Sequence, residues 1–566
     1  MKTILFTLTI LLSCGTAASQ TVSQLLKTSW HQKSPFNDQC PLVNNAAPAA
    51  GCGAIAVGQI LNYYKKPAHG FGHVNYTTKG NTVDIDYTTR TFDYDNILNY
   101  YASNATAASK EAVASLIYQV GAAMKMQYDT SSSPSNFPSM LWGLQHYLHF
   151  SPQSRYRNRR YYSTAEWIEM LNKELTNGHP VFYRGTHTAP GTSAGHIFVL
   201  DGINSTGKYH ANFGHASSTQ DKYVDLSIIN QSSGTNPGVY NVCYHHQQAM
   251  ITDFYPEEGL TDKDYDPHAL VINSPIILNS DPYAKTVTAT GTVNIGFRMY
   301  NANFVSSSHQ YSIGFYKDGV LVANSSTIRN FSLGAGYYTN IKRTFNLPTT
   351  LANGQYEMAV ISRENAASPW IRAWDNAPNC VPVTVQSNGK FIFTLPNYHN
   401  LDCNLYLEKN IKEPSDGKSG GKTFELTVCN PSSNNFEDTL RFEITASGTT
   451  KVYDMPTSIY DGQKITYRFF VKESDINMIK GYSVKAYYKE TIANKWIQLK
   501  TDPTGIKHQT YQQTGQVCIY SITGQMLRKF DRTELERKYS SYLQSLPCGI
   551  YLISDNNGTR KFVKPA

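Results

Sequence analysis

The stretch Gly51-Cys52-Gly53-Ala54-Ile55-Ala56-Val57-Gly58-Gln59-Ile60-Leu61-Asn62-Tyr63-Tyr64, preceded by Ala49-Ala50 and closed by Pro67, decides how the rest of the chain reads. Ala56, Val57, Ile60, Leu61 and Tyr64 recur at helical spacing and predict a helix from Cys52 to about Lys65, with one apolar face. Cys52 then sits at the helix N-terminus. Unpaired N–H groups and the helix dipole there favour a thiolate and predict a lowered thiol pKa. Gly51 and Gly53 leave room for a second backbone to approach. A lone cysteine is more often a buried structural residue. The position at the helix tip, between two glycines, favours a nucleophile instead.

A nucleophilic thiol needs a base. The segment Thr192-Ser193-Ala194-Gly195-His196-Ile197-Phe198-Val199-Leu200-Asp201-Gly202 puts a histidine at the mouth of an apolar strand, 144 residues after Cys52. His179, His187, His210 and His215 compete for the role, and His196 is preferred for its strand and glycine context. Sixteen residues further on, Asn212 in Tyr209-His210-Ala211-Asn212-Phe213-Gly214 supplies an amide that could orient the imidazole. Gln32, twenty residues before Cys52, could donate with the Cys52 N–H to a developing oxyanion. Gly195 and Phe213, beside the base and the amide, are expected to meet the substrate.

These residues together resemble the streptopain-type cysteine peptidases of the papain-like clan. The resemblance covers about residues 25–250. It runs through Trp30-x-Gln32-x-x-Pro35-Phe36-Asn37, Gly51-Cys52, Gln59-Ile60, Tyr63-Tyr64, Gly121 to Tyr128, Ser131-Ser132-Ser133, Pro180-Val181-Phe182-Tyr183, Gly195-His196-x-Phe198-Val199-x-Asp201-Gly202 and Tyr209-His210-x-Asn212. It implies a papain-like fold and endopeptidase activity on extended protein segments, with a preference for apolar side chains near the cut. Three features depart from the family pattern. Only a short stretch precedes Trp30, where a long propeptide is usual. Asn212-Phe213-Gly214-His215-Ala216-Ser217 stands where Asn-Trp-Gly-Trp-Gly-Gly is usual. Ile55 replaces a threonine of the cysteine helix. Two other readings use the same residues. One is a catalytically altered scaffold acting as a surface adhesin, and the other is a transglutaminase-like acyltransferase.

Around this centre the chain divides by texture. Its 566 residues predict about three to five domains. Residues 20–257 mix helical pieces (Cys52 to Lys65, Lys110 to Met124, Thr164 to Asn177) with strands (His179 to Arg184, His196 to Ile203, Lys208 to Asn212, Tyr223 to Ile229), which predicts an α+β catalytic domain. From 258 onward, short runs rich in Val, Ile, Tyr, Phe and Thr alternate with turns such as Lys317-Asp318-Gly319. That pattern predicts two β-sandwich, Ig-like modules, 258–388 and 389–505. Residues 506–566 predict a small β domain. Its Val517-Cys-Ile-Tyr520, Gly524-Gln525, Leu546-Pro547-Cys548-Gly549-Ile550-Tyr551 and Lys561-Phe562-Val563 resemble a type IX secretion sorting domain.

Residues 1–19 read as a signal peptide: Lys2, an apolar run from Ile4 to Leu12, then Ala17-Ala18-Ser19. A secreted or cell-surface bacterial protein follows. Lipidation at Cys14, in Leu11-Leu12-Ser13-Cys14, is the alternative. The net charge of +8 is spread without a Lys/Arg block, so nucleic acid is not expected as a partner. No later segment is long enough to span a bilayer. Cys40, Cys243, Cys380, Cys403, Cys429, Cys518 and Cys548 are scattered, with no CxxC pair. Neither a disulfide scaffold nor a metal site is expected, and no cofactor is called for. The expected partners are protein or peptide substrates and, through the C-terminal domain, export machinery.

Overall fold

The computed structural model describes residues 21–216, 221–231, 242–265, 270–281, 285–395, 403–415, 419–479, 481–490 and 494–501, and the backbones of strands 517–521, 526–530, 549–555 and 558–564. The signal segment 1–19 with Cys14, residue Ser217, the turn at Gly524-Gln525 and Cys548 lie outside the described residues.

Helix α1 (Cys52–Tyr64) begins where Gly51 turns the chain with φ +95°. An alanine Cβ at Gly51 would stand 2.8 Å from the Met126 side chain and 3.0 Å from the Ser133 carbonyl, so the turn needs glycine in both conformation and space. The helix stops at Lys65, which adopts the left-handed conformation and returns its N–H to the Leu61 carbonyl. Every residue from Gly53 to Asn62 is buried. The expected single apolar face is therefore a helix buried all round, packed between α2 (Ala107–Ala123) and the central sheet. Gly58 admits Trp30 and Ile117 against the helix backbone.

A third helix, α3 (Phe137–Leu148), was not foreseen. Pro138 sits in its first turn, where a missing N–H costs nothing. Strands β1 (His73–Thr78) and β2 (Asn81–Asp86) form a hairpin over the helices, turning at Lys79-Gly80, both at positive φ. Helix α4 (Thr164–Thr176) opens with a capping box, Ser163 to the Glu166 N–H and Glu166 back to Ser163.

The remaining strands of this unit are β3 (Arg155–Asn158), β4 (Val181–Ala189), β5 (Thr192–Ile203), β6 (Tyr209–Asn212), β7 (Lys222–Val224) and β8 (His246–Thr252). They build one antiparallel sheet in the order β3-β8-β4-β5-β6-β7. The strand expected from Tyr223 to Ile229 ends at Val224, because the chain turns at Asp225, whose carbonyl accepts from Ile228 and Ile229. Alternation along β5 splits its side chains between two cores. Ile197 and Val199 face α1, α2 and α3, whereas Phe198 and Leu200 pack with Trp167 and Leu171 of α4.

Two further β units follow. In residues 270–395, an eight-stranded and a five-stranded sheet close on one apolar core. In 403–501, a three-stranded and a four-stranded sheet do the same. Both rest on the first unit. Phe304, Tyr300 and Trp374 cluster with Trp142 of α3. From the second, Asn435 Nδ2 donates to the Tyr162 carbonyl at 2.8 Å, and Ser458 Oγ meets His246 Nδ1 at 2.9 Å. The four C-terminal strands form a sheet in the order 526–530, 517–521, 549–555, 558–564.

Candidate active site

The site forms where the tip of α1 meets β5. The backbone N–H groups of Ile197, Gly53 and Cys52 itself are directed at the Cys52 sulfur. Ile197 follows His196 in β5, so the helix tip meets the strand one residue from the histidine. Cys52 is partly exposed. Burial nevertheless pushes its thiol pKa up, against the three N–H groups and the positive charge of Arg184. The sequence-based expectation of a lowered value is thus reversed. A helix tip stabilises a thiolate only while water also reaches the sulfur, and here the walls of protein dominate.

His196 is nearly enclosed, at 7% exposed. Its ring lies 4.8 Å from that of His215, stacked, and 5.2 Å from Tyr244. Burial foremost, then His215, holds its pKa at about 4, while the hydrogen bond to the Phe213 carbonyl opposes the shift. That bond, His196 Nε2 to the carbonyl oxygen at 2.8 Å, assigns the tautomer. A carbonyl only accepts, so Nε2 carries the proton and Nδ1 is the basic nitrogen. Both shifts run toward the uncharged forms of the two groups.

Asn212 does not touch the imidazole as expected. Its Nδ2 donates to the Thr28 carbonyl at 2.8 Å and to Gln59 Oε1 at 3.1 Å, and its Oδ1 accepts from the Gly214 N–H at 3.1 Å. The amide pins β6 to α1 and to the N-terminal segment, leaving the Phe213 carbonyl to face His196. Phe213 also differs from expectation. Its ring is fully buried, 5.0 Å from Phe198, so it cannot line a substrate surface, and its backbone carries the contact instead. Gly195 is exposed, and no atom lies within 4 Å of where a Cβ would stand, so it borders open space. Gln32 is half-buried, and its backbone carbonyl accepts from the Ala50 N–H at 3.0 Å, which holds its loop beside the α1 tip.

The competing histidines are committed elsewhere. His179 Nδ1 lies 3.0 Å from Glu174, His210 pairs with buried Asp201 at 2.6 Å, and His187 meets the Cys243 N–H at 3.4 Å. Only His215 joins His196. Three further participants have no assigned role in the sequence reading. Gln59 could have been noticed as a buried amide on an otherwise apolar helix. Arg184 pairs across the ladder with Ile197 and stacks on the Phe137 ring at 4.5 Å. The Phe213 carbonyl has no sequence signal, because backbone atoms carry no residue identity. Among the described residues no group of histidines, cysteines and carboxylates is arranged to hold a metal, and the six described cysteines are all free thiols.

Residues 30–223 match the model of the Peptidase C10 family. Streptopain from Streptococcus pyogenes is 28% identical over 228 residues, which is 37% of this chain and 56% of that protein. The chain thus spans about half the length of the curated relatives it matches. The thiol protease/hemagglutinin PrtT of Porphyromonas gingivalis is 28% identical over 214 residues, 37% of this chain and 24% of that one. Active wild-type interpain A cysteine protease of Prevotella intermedia is 32% identical across 42% of this chain and 95% of its own, with a TM-score of 0.38. On the identity and coverage of these matches, the chain belongs to the Peptidase C10 family, the streptopain-type cysteine peptidases.

Proposed function

We propose that the chain is a secreted cysteine endopeptidase that cuts extended protein segments through an acyl-enzyme, with Cys52 as nucleophile and His196 as general base and then acid. The observation that carries this reading is the meeting of the Cys52 sulfur with the N–H of Ile197, the residue directly after His196, whose Nε2 is held by the Phe213 carbonyl.

A neutral pair works by transferring the proton as the attack begins. The Cys52 S–H proton passes to His196 Nδ1 while sulfur adds to the peptide carbonyl. The carbonyl oxygen becomes an oxyanion, for which the Cys52 N–H and the Gln32 amide are the donors in this reading. The imidazolium returns its proton to the leaving amine, the C–N bond breaks, and a thioester remains on Cys52. Water, deprotonated by the same nitrogen, hydrolyses it. The Phe213 carbonyl becomes more useful as the ring gains charge, since it then accepts from a cationic donor.

Export is supported by the reading of residues 1–19 and by the likeness of 506–566 to a type IX secretion sorting domain. Among the described residues no helix is long and apolar enough to cross a membrane. The two β units of 270–395 and 403–501 act in this proposal as Ig-like accessory modules.

Casein hydrolysis by the full chain and by Cys52→Ala tests the assignment. The variant is expected to lose at least about 10³-fold in kcat/KM. Equal turnover by both proteins ends the reading. An added primary amine separates hydrolysis, which yields free acids, from transfer to the amine.

A further inference from the structure

The peptide that holds His196 is itself held from its other side. The Phe213 peptide that accepts from His196 Nε2 donates its own N–H to Asp221 Oδ1 at 2.9 Å. Asp221 is half-buried at the start of the β7 segment, five residues beyond Ala216, and the fold brings its carboxylate back over β6. We propose that Asp221 is a positioning residue for catalysis, acting on His196 through the Phe213 peptide. This rests on the reading of His196 as the base.

The physical argument is polarisation. A carboxylate that accepts from a peptide N–H draws the peptide dipole into line and makes its carbonyl oxygen a stronger acceptor. The same peptide then grips Nε2–H more firmly, fixes the tautomer that leaves Nδ1 basic, and stabilises the imidazolium formed during attack. This is the task of a triad carboxylate or amide, performed one peptide unit away. It also accounts for a chain whose Asn212 amide is turned to Thr28 and Gln59 rather than to the ring.

The groups facing Asp221 set its ionisation. Burial raises its pKa to about 6, with Asp201 adding to the rise and the Phe213 N–H and His210 opposing it. His196 itself is faced by His215 and the Phe213 carbonyl and titrates near 4. Asp221 therefore loses its charge before His196 gains one, and the acid limb of kcat/KM belongs to Asp221.

The test is the pH profile of the full chain and of Asp221→Asn. The wild type should show an acid limb near 6. Asp221→Asn should lower kcat at neutral pH by about tenfold, the scale of one weakened hydrogen bond, with KM little changed. Its acid limb should move toward 4, and Asp221→Glu should restore part of both. A variant with wild-type kcat and an unmoved limb overturns the proposal. So does one that only lowers the melting temperature. Should Asp221→Asn fail to fold, the ¹⁵N shift of His196 Nε2 in the wild type, with Cys52 carboxamidomethylated, decides. A step near pH 6 supports the proposal, and a single step near 4 overturns it. That readout needs no turnover, so a failed protease assignment remains distinguishable from a failed role for Asp221.

Discussion

Two enclosed imidazoles lie on neighbouring strands of one sheet, His196 on β5 and His210 on β6, and they differ chiefly in what holds them. His210 Nδ1 meets the Asp201 carboxylate at 2.6 Å, and Asp201 also accepts from the Leu26 N–H at 2.8 Å. His196 has only a neutral carbonyl on one nitrogen and stacked rings around it. The first arrangement is a tether: the carboxylate is met by a ring nitrogen and a backbone N–H, and the N-terminal segment is pinned to the sheet. The second leaves Nδ1 with no tether, on the residue that precedes the Ile197 N–H directed at the Cys52 sulfur. A buried polar side chain that is fully satisfied serves the fold, and one left half satisfied in a partly open cleft can serve chemistry.

The sharpest way to break this contrast is to remove each ring in turn. His196→Ala should lower kcat/KM by about 10²–10⁴-fold, the range for a lost general base, with a melting temperature near wild type. His210→Ala leaves the fully buried Asp201 without its imidazole. It should cost about 3–5 kcal/mol in denaturant unfolding while leaving turnover per folded molecule within a few-fold. The reverse pattern would assign the roles the other way round.

Acid should sharpen the same contrast in stability. His196 and His246 titrate at about 4 and His245 at about 3, all lowered chiefly by burial. Between those values and 6.5 the unfolded chain binds more protons than the folded one, so stability falls as pH drops from 6.5 toward 4. Asp221 contributes with opposite sign, since its raised value lets the folded chain bind the extra proton between 3.8 and about 6. The three histidines should outweigh the one carboxyl. Urea unfolding at pH 7 and pH 4.5 measures the balance, and equal or greater stability at pH 4.5 contradicts it.

The smallest effects come from the glycines of the cleft. Gly51→Ala forces an unfavourable φ and a close contact at the helix tip, and should cost about 1–3 kcal/mol. Gly195→Ala faces open space and should change stability by less than about 0.5 kcal/mol, so any effect should appear in KM.

The part of the fold legible in sequence was the part specified locally. The Gly51-Cys52 helix, the run from His196 to Ile203 and the turn-punctuated β units carry their own periodicity. Helix α3 carries Pro138 and Gly143, two residue types that disfavour a helix interior. Pro138 falls in the first turn, and Gly143 lies where any side chain would strike the Ala123 carbonyl. Strand β8 was hidden because His246, Gln247 and Gln248 look polar. His246 and Gln248 are buried by contacts to Ser458 and Tyr460 from a unit some two hundred residues away. At the site, side-chain identities marked Cys52, His196 and Gln32 as candidates. The partner of His196 is a backbone oxygen, and the thiol pKa depends on walls built by remote segments. Neither has a one-residue signature.

The central claim is that Cys52 carries the acyl group. The most direct measurement is mass spectrometry of the full chain quenched within the first turnovers on a p-nitrophenyl acyl ester, followed by peptide mapping. The account predicts one acyl adduct per molecule on the peptide containing Cys52, discharged by water in the wild type and slowed in His196→Ala. An adduct on another residue, with hydrolysis persisting in Cys52→Ala, would contradict it.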